Sequence, residues 1–129
     1  MAKTKAIPNV EYRLIIARHF NDRTQTPTLL ITIETTKVFA SFRYELSVGE
    51  EMRGKELRYA ILGLRAPQLS LPSTGTAQFI REYDNLKGKF DIVVENQNRT
   101  SNTFSLNITQ KSITVLKSPK TPFIELIVQ

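Results

Sequence analysis

Apolar and polar residues alternate along most of this chain with a period of two, the signature of strands that cover one face. In "VEYRLIIARHF", Val10, Tyr12, Leu14 and Ile16 share a face while Glu11 and Arg13 take the other. The turn-rich "NDRTQTP" ends that strand. "TLLITIETT" then groups Leu29, Ile31 and Ile33 against Thr28, Leu30, Thr32 and Glu34. "VFASFRYELSV" predicts one strand over 38–48, with Val38, Ala40, Phe42, Tyr44, Leu46 and Val48 inward and Phe39, Ser41, Arg43, Glu45 and Ser47 outward. A helical period would scatter these residues around the whole surface.

"GEEMRG", Gly49 to Gly54, reads as a polar interruption. "KELRYAILGL" resumes with Leu57, Tyr59 and Ile61 on one face, and its end, apolar on both faces, predicts a central, doubly covered strand. The loop "RAPQLSLPSTG" follows. Thr76 to Leu86 leaves two assignments open. Phe79, Ile80, Tyr83 and Leu86 follow helical spacing, so a short helix is expected as readily as an irregular strand that sets Arg81 beside Phe79 and Tyr83.

"KFDIVVE" and "TFSLNIT" flank the polar loop "NQNRTSN". A hairpin centred on Arg99 would set Phe90 opposite Ile108, Ile92 opposite Leu106 and Val94 opposite Phe104, all facing the core. "SITVL" and "PFIELIV" supply further strands, with a turn or bulge near "QKS" so that Ile108 and Ile113 are both buried. The expected fold is all-β: an antiparallel β-sandwich of about 7–9 strands in a single domain over 1–129, with residues 1–8 as a flexible N-terminal segment.

Within "NLKGKFDIVVEN", Leu86, Gly88 and Phe90, followed by Ile92 and Val94, resemble the corner that leads into the penultimate strand of immunoglobulin-like and fibronectin type III-like domains. Phe90 stands where such domains usually have Tyr, and the Cys pair and core Trp of antibody-type domains are missing. The resemblance covers about a dozen residues and implies a fold, not a function.

Composition narrows the chemistry. With 40% hydrophobic and 23% charged residues the chain is an ordinary globular one. It has no Cys, which removes disulfides, thiolate metal sites and a Cys nucleophile. No apolar signal segment precedes the first strand, so a cytoplasmic location without membrane attachment is expected. "LPSTG", Leu71 to Gly75, matches a sortase pentapeptide, but no apolar segment follows it and it reads as a loop. The net charge of +6 invites nucleic acid, yet acids are interleaved throughout and no basic run stands out.

His19 is the single histidine, so no His cluster supports a metal, and a hydroxyl triad would have to pass through it. Glu50 with Glu51, and Asp84 with Asp91, are acid pairs that would need a cleft to become acid and base. No cofactor is expected, and the chain reads as a non-enzyme. The leading function is an interaction module for an unidentified protein partner, with Arg13, Phe39 and Arg43 on a strand face and Arg99 in the polar loop as contact candidates. The alternative is a basic, OB-like barrel for single-stranded nucleic acid using Arg13, Phe39 and Arg43. A carbohydrate-binding sandwich ranks third, since there is no Trp.

Overall fold

The computed structural model describes residues 10–40, 44–66, 74–84 and 86–129. Alternation within segments becomes nine strands: β1 (Tyr12–Asn21), β2 (Thr26–Phe39), β3 (Glu45–Arg53), β4 (Glu56–Arg65), β5 (Gly75–Asp84), β6 (Gly88–Glu95), β7 (Ser101–Ile108), β8 (Ile113–Lys117) and β9 (Ile124–Val128). They line up in the order β8-β7-β6-β4-β3-β5-β2-β1-β9, a nearly closed, barrel-like sheet. A barrel-like closure therefore stands where a two-sheet sandwich was expected. The sheet is also mixed, because β1–β9, β3–β5 and β4–β6 are parallel pairs.

The core is the inner face of that sheet. Leu14 and Ile16 of β1, Leu29, Ile31 and Ile33 of β2, Leu57, Tyr59 and Ile61 of β4, Ile92 and Val94 of β6, and Phe104 and Leu106 of β7 are all buried. The expected inward rows of β1, β2 and β4 are thus the observed ones.

Several local expectations change, and one open assignment is decided. First, the segment over 38–48 is not one strand. Val38 and Phe39 finish β2, and β3 starts at Glu45. The odd-numbered inward face of β2 carries on to Phe39, which packs on the core, while Val38 is 57% exposed. A register shift between Glu34 and Val38 loosens the end of β2, and the buried Thr35 hydroxyl accommodates it by accepting from Ala77 N (3.0 Å) and donating to Lys37 O (2.8 Å). β3 has the opposite parity to β2, so Leu46 is inward as expected whereas Phe39 is the reverse of outward.

Second, "GEEMRG" is strand and turn. Glu50, Glu51 and Met52 belong to β3, and a two-residue hairpin at Gly54 and Lys55 leads into β4, with Gly54 at φ +57 in the first central position that a type II′ turn reserves for glycine. Third, of the two assignments left open for 76–86, the described residues take the strand: β5 runs through Asp84, with Ala77, Phe79, Arg81 and Tyr83 on one face. Fourth, the end of β4 is not doubly covered. A bulge opposite Ser47 and Val48 displaces Leu62, and Leu62 and Leu64 are both exposed.

The β6–β7 hairpin keeps the expected face but shifts by two positions, pairing Phe90 with Leu106, Ile92 with Phe104 and Val94 with Asn102. An even shift preserves parity, so the apolar row stays inward. The cause lies in the turn. Asn96 Oδ1 accepts from both Asn98 N and Thr100 N at 2.9 Å, and Arg99 adopts φ 66, so residues 96–100 close a short loop. Asn102 thereby enters the inner face, where its Oδ1 accepts the backbone N–H of Phe123 at 2.9 Å. At the other end, Thr109 and Ser112 close the β7–β8 turn so that Ile108 pairs with Ile113, which is the turn expected near "QKS". The expected flexible segment 1–8 lies outside the described residues, as does most of the sortase-like pentapeptide. Its Thr74 hydroxyl donates to Ala40 O (3.3 Å), and Gly75 opens β5.

Replacing Asn102 by Leu leaves the Phe123 N–H without its acceptor in a buried place, and is expected to cost about 1–3 kcal/mol. Phe104→Ala, which empties a buried ring site, is expected to cost about 3–5 kcal/mol. Urea midpoints at constant slope read both, and an Asn102→Leu protein as stable as the parent would show that this bond does not hold the end of the sheet.

Candidate functional site

A sheet that nearly closes has two edges left over, and here they are β8 and β9. These strands run in opposite directions, joined by the link 118–123, but each ladders elsewhere, β8 with β7 and β9 with β1. Pro119 and Pro122 in the link have no N–H to extend a ladder. Between the strands lies a groove of about 680 Å³ lined by Phe104, Val115, Pro122, Ile124, Leu126 and Val128, with Lys120 and Glu125 as its charged members.

The exposure of inner-face residues marks the opening. Leu14, Ile16 and Leu106 are 0% exposed, yet their ladder partners on the edge strands open progressively: Val128, opposite Ile16, is 37% exposed and Val115, opposite Leu106, is 40% exposed. Two side-chain bonds span the opening at its ends. Arg18 Nη2 donates to Ser112 O (3.2 Å) beside the start of β8, and Asn102 Oδ1 holds Phe123 N at the start of β9.

The described contact candidates read from the sequence, Arg13, Phe39 and Arg99, do not assemble into one patch. Arg13 lies on the outer face, where its Nε donates to Glu34 Oε2 at 2.7 Å and Nη2 to Thr35 O at 3.3 Å. Its charge is spent within the sheet. Phe39 packs edge-on against Tyr44 (5.1 Å between ring centres), with Lys37 Nζ 5.2 Å from its ring centre. Arg43 lies outside the described residues. Arg99 is exposed in the β6–β7 turn, remote in the ladder from Arg13.

The acidic candidates are likewise committed. Glu50 and Glu51 diverge: Glu51 reaches Arg53 on the outside (2.7 Å), whereas Glu50 turns inward to the Arg81 guanidinium and the Tyr83 hydroxyl (3.2 Å). Tyr83 in turn lies 2.6 Å from the hydroxyl of Tyr59, and Arg81 stacks 4.4 Å from the centre of the Phe79 ring. Burial above all, together with their mutual bond and Glu50, drives the Tyr59 hydroxyl well above the ordinary phenol range, and burial also raises Tyr83. Neither phenol is poised to ionise near neutrality, so the cluster is a neutral-phenol brace rather than an acid–base pair. Asp91 accepts from Ser105 Oγ (2.7 Å), and Asp84 sits opposite Thr28, each in its own ladder.

His19 Nε2 stands 4.0 Å from Glu82 Oε2. The nearby Thr28 hydroxyl meets that carboxylate at 2.5 Å, which is not the hydroxyl–imidazole–carboxylate order of a nucleophilic triad. Among the described residues no three His, Asp or Glu gather to hold a metal, and no helix is long and apolar enough to cross a membrane. No protein-family model matches the chain, and comparison with curated proteins and with solved structures returns no match.

Glu34 contributes a pH dependence. Burial pushes its carboxyl upward, but hydrogen bonds from Arg13, Gln78 and Thr76 together outweigh burial and hold it below the ordinary value. A carboxyl lowered on folding stabilises above its unfolded value, and that contribution is lost as pH falls through the folded value. Glu34→Gln is therefore expected to lose about 1–2 kcal/mol at neutral pH. It should also show a shallower decline than the parent when denaturation is followed down to about pH 3.

Proposed function

We propose that this protein is a non-catalytic interaction module that accepts an extended strand from a protein partner into the seam between β8 and β9. The observation that carries this reading is the exposure of inner-face Val115 and Val128 beside two strand edges that pair on one side each. Free edges are templates for strand addition, in which main-chain bonds supply affinity and alternate side chains fill pockets. Lys117 and Lys120 flank the groove against the single acid Glu125, which itself lies opposite Arg13 in the ladder. The fitting partner strand thus alternates apolar residues with acidic ones, the apolar set descending onto Phe104 and Leu126.

The consumption of Arg13 by Glu34 and of Glu50 by Arg81 supports a binder over a catalyst, because these groups hold the sheet together. The same pairing weakens the single-stranded nucleic-acid alternative, which needed Arg13, Phe39 and Arg43 on one open face.

A capped ten-residue peptide alternating Val and Glu tests the proposal in a nuclear magnetic resonance titration, beside a peptide of the same composition with its Val and Glu in separate blocks. The alternating peptide is expected to slow amide exchange along β8 and β9, and Val128→Glu, a change at a partly exposed position, is expected to weaken it at least ten-fold. Equal binding of both peptides would overturn strand addition. Salt-sensitive binding of a labelled oligonucleotide with no response to either peptide would favour the nucleic-acid reading. Concentration-dependent dimers abolished by Val128→Glu would give the seam to a second copy of the chain.

A further inference from the structure

The mouth of the barrel opposite the 118–123 link holds a second cavity, of about 450 Å³. Its walls come from the β1–β2 and β7–β8 hairpins, and its base from Leu86 and Lys87 ahead of β6. Leu29, Leu86 and Ile108 give it an apolar floor, and Arg18, Lys87 and Gln110 give it polar groups. No Asp or Glu lines it.

The charge arrangement is asymmetric for a structural reason. Arg18 lies opposite Leu29 in the β1–β2 ladder and so belongs to the inner face, whereas Glu82 and Asp84 lie opposite Leu30 and Thr28 and belong to the outer one. The acids that could neutralise Arg18 are on the far side of the sheet. One of its terminal nitrogens donates to Ser112 O, and among the described residues it pairs with no carboxylate. Lys87 gives its carbonyl to Lys55 Nζ (2.9 Å), and Lys87 itself is an exposed residue of the cavity lining.

We propose that this cavity binds a small amphipathic carboxylate, with the carboxylate on Arg18 and Lys87 and a short hydrocarbon tail on Leu29, Leu86 and Ile108. The planar guanidinium fork matches a carboxylate, and Lys87 adds a point charge that can follow it. The volume falls within the range of small-molecule sites, which are mostly apolar with a few polar groups that fix orientation. This site shares Arg18 with the seam, but its tail-binding residues are not those of the groove between β8 and β9.

Octanoate, acetate and octanol titrated into the full chain test the proposal, read by amide and methyl resonances of Leu29, Leu86 and Ile108. Octanoate is expected to bind at least ten-fold more tightly than acetate, which lacks the tail, and than octanol, which lacks the charge. Lys87→Glu is expected to weaken octanoate at least ten-fold without altering the circular dichroism spectrum, and Arg18→Gln is expected to do the same. If Arg18→Gln loosens the fold, Lys87→Glu decides alone. Octanol binding as well as octanoate, unchanged octanoate affinity in Lys87→Glu, or octanoate shifts confined to Val115 and Val128 would each overturn the assignment.

Discussion

At the start of β9 the sheet closes through the bond between Phe123 N and Asn102 Oδ1. A sheet of nine strands with two free edges would expose a row of unpaired donors and acceptors on each side. Asn102 reaches past the end of β8, which ladders only with Ser105 to Ile108 of β7, and takes the amide that starts β9. The carbonyl of Phe123 meanwhile accepts from Glu11 N (2.9 Å), so this one residue is tied to β1 and to β7 together. With it placed, β9 follows β1 in parallel, and Ile124, fully buried, seals the end of the core.

The sheet is thin in one other place. β3 and β5 share a single paired position, Glu45 with Gln78, before they separate. Backbone pairing cannot cover strands that splay, so side chains do it. Glu50 and Arg81 form the bridge, and Tyr83 and Tyr59 carry it inward to Phe79, which packs 5.8 Å from the Tyr59 ring centre. Both weak joints are therefore spanned by polar groups from the inner face, and the apolar core lies between them. A satisfied polar network of this kind specifies one arrangement of the halves, because any slip leaves a donor or acceptor without its partner.

This placement explains what could be read from the sequence. Apolar rows such as Leu29, Ile31 and Ile33, or Ile92 and Val94, were legible because burial repeats every second residue and nothing competes with it. Arg18, Glu50, Arg81 and Asn102 were not, because alternation assigns polar residues to the outside. All four occupy the inner face, at a mouth or at a joint. In β5, Arg81 on the inner face and the exposed Ile80 on the outer one left helical spacing open beside strand alternation. The parity of Phe39 was lost for a different reason: residues 38–48 combine the end of one strand with the start of another, and two registers of opposite parity read as one continuous alternation. The link 118–123 gave no signal for the seam itself, since closure depends on which strands pair, and periodicity is blind to that.

The same geometry sets where binding can occur. Arg13, Glu34, Glu50 and Arg81 are committed to joining strands, whereas the inner face meets solvent at the seam and at the mouth, the two places where binding is proposed. Arg18 belongs to both, since its guanidinium spans the seam to Ser112 and also lines the mouth cavity. A carboxylate in the cavity would draw on the remaining N–H groups of that guanidinium, and Arg has five donors, enough to serve Ser112 O and a ligand together. Lysine would not substitute well there, because its compact ammonium lacks the planar fork that presents donors in two directions at fixed spacing. Occupancy of the mouth and closure of the seam are thus compatible through the one residue they share.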